Sequence, residues 1–555
     1  MIKNYKKILS LSIVLLVLFV SMNSISATDD LNDKTSLNMD NHIEETNNII
    51  KNNSNNIEEK NINTKKATNK ENETIDIITK NNENTNDYYV SVMGNNQNNG
   101  TKDNPYKTID KAINSSQENK TNNIYLSEGT FKLDGNTNLT INKNTNLIGA
   151  SSQSTILDGS NINYLCNISD VNVTFTNITI TNFYKKLNQS GTTEGIINNN
   201  GTLKLINVIL TNNTVDTALG INETQSTIYT GIILSIGEIQ IENMTASFNN
   251  INNTYGKSLS DLRKLIEWGG VITSYKNVNI INSNFYNNTG SRSSVVYAHT
   301  LSKLNVNNST FKNNKAYYCG GVFLTYLNTT TTINNSYFEN NNGTNAGGII
   351  YQQRYSNMIV ENSTFNHNYA NTGGALYTHH YSNLTTNNCI FTNNTAKTGS
   401  SILGADEVIL NIHNATFKNN QALQGAVMGD EKCEINVYNS LFENNNATFG
   451  GAVFGDLINN ITIKDSILTN NTATYGGAIY ATINSSIIIT NNTFSDNKAE
   501  NGSVIFVDNT DTIDEDNPTP AENITSTITS TNNTFLNNIA INNELIVNYP
   551  GGTFV

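Results

Sequence analysis

The sequence contains little arginine, proline, cysteine and tryptophan. Of its 555 residues, three are Arg, four are Pro, four are Cys and one is Trp. A net charge of −13 and a pI near 5.0 exclude the basic surface that nucleic acid or anionic lipid requires, so we expect no nucleic-acid partner. The few cysteines show no paired or metal-ligand spacing, which favours buried free thiols over disulfides: Cys166, Cys319, Cys389 and Cys433.

The first 27 residues have the composition of a secretory signal peptide. Three lysines precede an apolar run over residues 8–20, and small polar residues follow it up to Ala27. The alternative is a single membrane anchor, but the apolar run is shorter than the ~18 residues that a spanning helix requires. We therefore predict export, with cleavage after Ser26 or Ala27, and a secreted or cell-surface location.

Residues 28–86 are rich in Asn, Lys, Glu, Asp and Thr and contain no aromatic residue. Such a segment cannot bury enough apolar surface to offset the conformational entropy lost on folding. We predict a flexible linker that holds the next domain away from a cell surface.

A repeat of about 26 residues organises the remainder, where asparagine, roughly one residue in five of the chain, is most regular. An aromatic or aliphatic anchor followed by paired asparagines recurs, and successive anchors from Phe285 to Phe494 are 25–27 residues apart. The anchors are Phe248, Phe285, Phe311, Phe338, Phe365, Phe391, Phe417, Phe442, Leu468, Phe494 and Phe535.

The segments between anchors are short, rich in β-branched residues and separated by Asn and Gly turns. Helical solenoids would show longer runs with a period of 3.6 residues, which are missing from this repeat. The pattern predicts an all-β fold, a right-handed single-stranded parallel β-helix with about 26 residues per coil. We expect the anchors to stack inside it, and the asparagines to occupy bends and hydrogen-bond to their counterparts on the next coil.

Longer intervals between anchors predict insertions near residues 214–230, 255–268 and 508–525. The second insertion has four apolar residues on one helical face, which predicts a short helix: Leu259, Leu262, Leu265 and Ile266. The third is acidic from Asp508 to Asp516 but lacks the glycine of an EF-hand loop, so a solvated loop is an alternative to a calcium site.

The segment YYVSVMGNNQNNGTKDNPYKTIDKAI, residues 88–113, resembles the opening of right-handed parallel β-helix proteins of the pectate-lyase-like superfamily, and residues 155–160 and 173–182 resemble their early coils. The resemblance implies an N-terminal cap over residues 87–135 and a β-helix over residues 136–555. The later coils, with paired Asn and Gly-Gly-Ala, resemble the large adhesin-like surface proteins of methanogenic archaea. The Gly-His-Gly and Arg-x-Lys motifs of polygalacturonases do not occur in the sequence.

One set of polar residues follows successive anchors at similar spacing. Asp406, Asp430 and Asp456 should lie on consecutive coils, with carboxylates about 5 Å apart on one outer face. Such carboxylates suit a cation such as Ca²⁺, or a saccharide, and the alternative is a solvated acidic turn. Neighbouring residues are candidates for ligand binding: Arg354, Tyr377, His379, His380, Glu407 and Glu431. Tyrosines near the same face are candidates for stacking on sugars or on each other: Tyr326, Tyr351, Tyr355, Tyr377 and Tyr381.

Two functions fit these observations. The first is an exported, adhesin-like binding protein that presents polar groups at coil spacing to an extracellular polysaccharide or a neighbouring cell surface. The second is a carbohydrate-active lyase or glycoside hydrolase that uses Asp406, Asp430 and Asp456. After Phe535 only part of another coil follows, so a truncated chain, a docking partner or self-association through the open C-terminal edge are alternatives.

Overall fold

The computed structural model describes residues 84–133, 135–187, 193–217, 226–253, 265–344, 347–509, 526–542, 544–549 and 553–554. The predicted signal peptide and all but the last three residues of the predicted linker lie outside these ranges. So do residues 218–225, 254–264 and 510–525, which make up much of the three predicted insertions. Within the described ranges we find no helix long and apolar enough to cross a membrane.

The described chain forms a parallel β-helix, as predicted. Each coil contributes one strand to each of three long sheets, here named A, B and C in the order in which a coil passes through them, and every strand pairs in parallel with its counterparts on neighbouring coils. Sheet A begins within the last residues assigned to the linker. Its strands are Thr85–Val90, Thr121–Leu126, Thr145–Gly149, Asn172–Thr176, Thr202–Ile206, Glu238–Glu242, Val278–Ile281, Lys303–Asn307, Thr330–Asn334, Asn357–Glu361, Asn383–Asn387, Ile409–His413, Glu434–Tyr438, Asn460–Lys464, Ser486–Thr490, Thr527–Thr531 and Thr553–Phe554.

Sheet B carries the predicted anchors, except Phe248, at the centres of its short strands. These strands are Gly129–Lys132, Thr155–Asp158, Thr179–Thr181, Ile209–Thr211, Thr245–Ser247, Asn284–Tyr286, Thr310–Lys312, Tyr337–Glu339, Thr364–Asn366, Ile390–Thr392, Thr416–Lys418, Leu441–Glu443, Ile467–Thr469, Thr493–Ser495 and Thr534–Leu536.

Sheet C follows the bend after sheet B, and at its end the chain turns back to sheet A. Its strands are Leu139–Ile141, Cys166–Ile168, Glu194–Asn199, Ser226–Ser235, Leu265–Trp268, Ile272–Ser274, Val296–Ala298, Phe323–Thr325, Ile350–Gln352, Leu376–His379, Ile402–Ala405, Val427–Asp430, Val453–Asp456, Ile479–Ala481, Ile505–Asp508 and Ile546–Tyr549. Very short strands pair in the bend between sheets B and C: Tyr184–Leu187, Thr214–Thr217, Asn250–Asn253, Thr289–Gly290, Lys315–Ala316, Asn342–Gly343, Tyr369–Ala370, Lys498–Ala499 and Ile539–Ala540.

A helix, Ile109–Ser115, lies within the predicted N-terminal cap. The Thr108 hydroxyl accepts a hydrogen bond from the backbone N–H of Lys111, which satisfies one of the free donors at the start of the helix. The helix buries its apolar face against the first coils through Ile109, Ala112 and Ile113.

The anchors form a continuous stack in the core. Seven phenylalanine rings follow one another at centroid distances of 4.5–5.2 Å and are fully buried: Phe285, Phe311, Phe338, Phe365, Phe391, Phe417 and Phe442. Leu468 interrupts the rings, and Phe494 stacks on Phe535 beyond it. The predicted stacking is confirmed for these coils.

Phe248 was predicted to be an anchor, and this prediction is wrong. Ala246 pairs with Phe285 in sheet B and faces the core, whereas Phe248 is exposed. Phe248 lies two residues after the inward position, where Asn287 stands on the next coil, and it shares the left-handed backbone conformation of that asparagine. On this coil the small residue, Ala246, faces the core, and the aromatic residue, Phe248, lies at the bend.

The paired asparagines have two separate roles. The first, two residues after the anchor, takes a left-handed backbone conformation, as at Asn313 and Asn393. The second is buried, and its carboxamide oxygen accepts from the backbone N–H and the side-chain N–H of its counterpart on the preceding coil, at 2.9–3.3 Å. The predicted asparagine ladder is confirmed, and it comprises Asn213, Asn249, Asn288, Asn314, Asn341, Asn368, Asn394, Asn420, Asn445, Asn471, Asn497 and Asn538.

The predicted short helix in the second insertion is wrong at its C-terminal end. Leu265–Trp268 is a strand that pairs in parallel with the first residues of Ser226–Ser235. The extended sheet C strand offers free backbone groups there, and pairing with them outweighs the helical pattern of the side chains. The preceding residues of the predicted helix lie outside the described residues.

All four cysteines are buried and none forms a disulfide, as predicted. Burial raises the pKa of the Cys389 thiol to about 11 and that of Cys433 to about 12. Neither thiol is therefore ionised at neutral pH, and both serve as small apolar side chains of the core.

Candidate functional site

The end of sheet C, where the chain turns back to sheet A, carries the candidate residues. We name it the sheet C corner and define it as residues 353–355, 379–381, 405–407, 430–432 and 456–458. On four successive coils, two consecutive corner residues take left-handed backbone angles, with φ of 40–62°: His380 and Tyr381, Asp406 and Glu407, Glu431 and Lys432, Leu457 and Ile458.

Most left-handed non-glycine positions among the described residues hold asparagine, which tolerates this conformation. At the sheet C corner they hold charged, aromatic and even β-branched residues. Such residues cost about 1–3 kcal/mol each when held in a left-handed conformation, and strain of this kind collects at functional sites. The strained backbone conformations and the candidate polar side chains therefore occur at the same corner.

The three candidate aspartates do not share one register position, which corrects the predicted column. Asp430 pairs with Asp456 on the next coil but with Ala405 on the preceding coil, so Asp406 stands one residue further along. The cause is a shorter bend. Val427 begins its strand ten residues after Phe417, whereas its counterpart on the preceding coil begins eleven residues after Phe391.

Asp406 is held by two histidines on the preceding coil. Its Oδ2 atom lies 2.7 Å from Nε2 of His379 and 3.0 Å from Nδ1 of His380. The register with the preceding coil makes this contact possible, because His379 pairs with Ala405 and the aspartate therefore lies opposite His380. Three donor atoms from three side chains thus converge within 4.8 Å of one another.

The electrostatics of this group favour an ionised aspartate and a neutral histidine. Burial raises the pKa of Asp406, but the hydrogen bond from His379 and the charges of His379, His380 and Lys432 outweigh burial and lower it. Burial and the neighbouring His379 lower the pKa of His380 to about 4. At neutral pH the contact between His380 and Asp406 is therefore a hydrogen bond donated by Nδ1, and not an ion pair.

Two tyrosines line the inner side of this group. Tyr351 and Tyr377 stack at a centroid distance of 4.7 Å, and the Tyr351 hydroxyl lies 3.3 Å from Nδ1 of His379. Tyr351 is buried by the neighbouring coils and stacks on Tyr377, so for this residue the structure supports stacking between the tyrosines and not stacking on a sugar. Burial, followed by Tyr351 and Asp406, raises the pKa of Tyr377 well above its ordinary value.

Asp430 and Asp456 form a second pair of carboxylates on the next two coils. Burial raises the pKa of Asp430 well above its usual range, and the carboxylates of Asp456, Asp406 and Glu431 raise it further. Asp456 accepts a hydrogen bond from the Thr482 hydroxyl at 2.9 Å. The pair therefore combines a carboxyl group that resists ionisation with one that is fixed in position by a neighbour.

Exposed groups surround Asp406 and the pair formed by Asp430 and Asp456. The rings of Tyr355 and Tyr381 stack at 5.4 Å with an interplanar angle of 7°, and both are more than half exposed. Arg354 lies opposite His380 in register. On the other side Lys432 lies 3.0 Å from Glu431 and 3.9 Å from Glu407. The structure thus brings every predicted ligand-binding residue to the sheet C corner or, for Tyr377, to its inner side.

Sequence reasoning missed a second histidine at the equivalent position on an earlier coil. His299 stacks on Tyr275 at 4.4 Å and contacts Tyr297 and Tyr326, and burial lowers its pKa to about 4. The signal was present in the sequence, since His299 lies fourteen residues after the anchor Phe285 and His379 lies fourteen residues after the anchor Phe365. The acidic loop from Asp508 onward lies outside the described residues after Asn509.

No protein-family model and no curated protein matches this sequence. Among solved structures the chain is similar to a rhamnogalacturonan lyase, at 12% identity over 60% of this chain and 82% of that chain, with a TM-score of 0.26. It is also similar to XylC in complex with xylose, at 10% identity over 76% and 86% with a TM-score of 0.31. A further similarity is to GH136 lacto-N-biosidase from Eubacterium ramulus, at 12% identity over 81% and 68% with a TM-score of 0.28. At such identities these likenesses concern the β-helical fold alone.

Proposed function

We propose that the protein is an exported, adhesin-like binding protein that holds an extracellular polysaccharide along the sheet C corner. The observation that carries this proposal is the exposed stack of Tyr355 and Tyr381 beside a cluster of histidines and carboxylates. Exposed aromatic rings give sugars an apolar surface, and adjacent charged groups accept or donate hydrogen bonds to hydroxyl groups.

The spacing of the corner suits a repeating polymer. Coils follow one another about 4.8 Å apart, so equivalent groups are presented at a regular interval along the helix axis. A long chain contacts several coils at once, and weak contacts on each coil then add up to useful affinity.

Two features of the sequence support a cell-surface role. The first 27 residues have the composition of a signal peptide, and the coils rich in Asn and Gly-Gly-Ala resemble adhesin-like surface proteins of methanogenic archaea. The partner in this proposal is a polysaccharide in the medium or on a neighbouring cell.

Retention of the protein on immobilised polysaccharides tests the binding function. A panel of acidic and neutral polymers is compared for the wild type and for the variant Tyr355→Ala/Tyr381→Ala. We expect about tenfold weaker retention of the variant, equivalent to about 1.4 kcal/mol. Tyr438→Ala is the matched control, because Tyr438 stacks on His413 in sheet A and lies away from the corner. Equal retention of all three proteins would contradict the proposed site.

A second candidate function is a carbohydrate-active lyase or glycoside hydrolase. It rests on the direct pairing of Asp430 with Asp456, since strand spacing sets them about 4.8 Å apart and retaining glycosidases separate their two carboxyl groups by about 5–5.5 Å. Incubation with the same panel, followed by assays for new reducing ends and for unsaturated products, tests it. Turnover by the wild type that is lost in Asp430→Asn establishes the enzyme, whereas retention without turnover leaves the binding function.

A further inference from the structure

We propose that His379, His380 and Asp406 form a binding site for a divalent transition-metal ion of the Zn²⁺ class. This inference goes beyond the proposed function, because the metal site rests on its own donor atoms whether or not the corner binds a saccharide. It also replaces calcium as the expected cation at the corner.

The donor atoms already stand close to the separations that a metal ion requires. Tetrahedral coordination with bonds of about 2.0–2.1 Å places neighbouring ligand atoms about 3.3 Å apart. In the structure Asp406 Oδ2 is 2.7 Å from His379 Nε2 and 3.0 Å from His380 Nδ1. An outward movement of the three groups by about half an ångström, within the range of ordinary side-chain motion, makes room for the ion.

A neighbouring tyrosine selects the nitrogen that faces the site. The Tyr351 hydroxyl lies at Nδ1 of His379, on the opposite side of the ring from Nε2. Ligand histidines usually hydrogen-bond through the nitrogen that does not bind the metal, which fixes the ring orientation. Tyr351 is buried, so this contact is held firmly from behind the site.

The backbone gives each ligand a fixed position. His379 ends a sheet C strand and pairs with Ala405, while His380 and Asp406 lie opposite each other on adjacent coils in left-handed conformations. Asparagine would suit these two left-handed positions better, yet both carry metal-binding side chains. A hydrogen-bonded cluster alone would not require two adjacent histidines on one carboxylate oxygen.

The chemistry of the ligands decides the class of metal. Calcium prefers six to eight oxygen ligands, whereas two imidazoles and one carboxylate suit Zn²⁺ and its neighbours in the first transition series. Three protein ligands leave a position for water or for an oxygen of a bound molecule.

Titration of the full-length chain with Zn²⁺ tests the proposal. The protein is prepared without a polyhistidine tag, stripped with a chelator, and titrated calorimetrically in the presence of millimolar Ca²⁺. We expect one Zn²⁺ per chain with a Kd of about 1 μM or tighter, a value of about −8 kcal/mol. Titration with Co²⁺ adds a spectroscopic readout, because visible absorption bands report nitrogen and oxygen ligands in a low-coordinate site.

Three substitutions distinguish a metal site from a hydrogen-bonded cluster. His380→Asn and Asp406→Asn keep side chains that tolerate the left-handed backbone, and each should weaken Zn²⁺ binding about 100-fold or more. Tyr351→Phe keeps the buried ring and should weaken it about tenfold. The matched control is His367→Asn, because His367 is also left-handed and the neighbouring coils carry Asn340 and Asn393 at that position.

Each outcome of these titrations either supports or overturns the proposed metal site. Stoichiometric Zn²⁺ binding that His367→Asn retains and Asp406→Asn loses supports the proposal. Absence of saturable Zn²⁺ binding by the wild type overturns it, as does displacement of Zn²⁺ by millimolar Ca²⁺. If His380→Asn or Asp406→Asn fails to fold, Tyr351→Phe decides, and an unchanged Zn²⁺ affinity in that variant counts against the site.

Discussion

Two bends of the β-helix use the same left-handed backbone but fill it with different residues. After the sheet B strands, at what we call the asparagine corner, the left-handed residue is most often Asn, and from Asn213 onward the next residue belongs to the buried ladder. At the sheet C corner the left-handed residues include His380, Asp406 and Ile458. The asparagine corner thus suits the fold, whereas the sheet C corner carries side chains that the fold alone does not favour.

The difference separates stability from function within one coil. A ladder asparagine such as Asn394 satisfies buried groups on both neighbouring coils. A residue such as Ile458 gives its coil no comparable bonds and holds a conformation that costs about 1–3 kcal/mol. Substitutions of the ladder asparagines should therefore destabilise the protein, and substitutions to Asn or Gly at the left-handed positions of the sheet C corner should not.

The largest effect is expected in the ladder, from Asn394→Ala. The substitution removes the acceptor of Asn368 and the donor to the backbone oxygen of Phe365, so that several buried polar groups lose their partners. Each loss costs about 1–3 kcal/mol, and we expect a total near 4 kcal/mol in the free energy of unfolding measured with urea. The adjacent Asn393→Gly is the control and should change this free energy by less than about 1 kcal/mol. Equal effects of the two would remove the special role of the ladder.

A smaller effect is expected from acid at His299. Its pKa in the folded protein is about 4, below its ordinary value, so the unfolded chain takes up the proton first as the pH falls. The contribution of the neutral ring is complete above about pH 6.5 and is lost towards pH 4, by about 2 kcal/mol after allowance for partial exposure.

Comparison with His299→Phe isolates this contribution. The variant lacks the histidine ring that takes up a proton, and the ladder amides do not titrate in either protein. Urea unfolding should therefore show a smaller loss of stability in the variant than in the wild type between pH 7 and pH 4.5. Parallel pH profiles for the two proteins would show that His299 takes no part.

The smallest effect, and the opposite sign, is expected from Ile458→Gly. Glycine adopts the left-handed conformation without strain, so the substitution should stabilise the protein by about 1 kcal/mol. Ile467→Gly is the control, since Ile467 has similar exposure but lies in a sheet B strand, where glycine is unfavourable by about 1 kcal/mol. A loss of stability in Ile458→Gly would contradict the assignment of strain to the sheet C corner.

The spacing of the anchors in the sequence was sufficient to predict the repeat and most of its inward-facing residues. It could not predict which residues pair with each other on neighbouring coils. From Phe285 to Phe442 the interval is nearly constant, and the structure confirms the stack and the ladder. Phe248 was misassigned because the letters resemble an anchor followed by asparagines, although the small Ala246 is the residue that faces the core.

Register also decides which candidate residues meet at the sheet C corner, and spacing in the sequence did not predict it. The missing residue before Val427 shifts Asp430 against Asp406, and a one-residue shift decides which side chains meet. The contact of His379 and His380 with Asp406 instead depends on the unshifted register of the preceding pair of coils, in which His379 pairs with Ala405, and the sequence alone placed these residues near each other without joining them. The sequence also could not predict the left-handed conformation of the sheet C corner, because no asparagine or glycine stands at those positions.

Polysaccharide retention by a single variant tests the central claim, that the sheet C corner serves binding and not folding. The variant His380→Asn/Asp406→Asn/Glu431→Asn gives this corner the residue that the other corner uses at its left-handed positions. We predict that it folds with a free energy of unfolding within about 1 kcal/mol of the wild type and is no longer retained on the polysaccharide that binds the wild type. Retention equal to that of the wild type would contradict the claim.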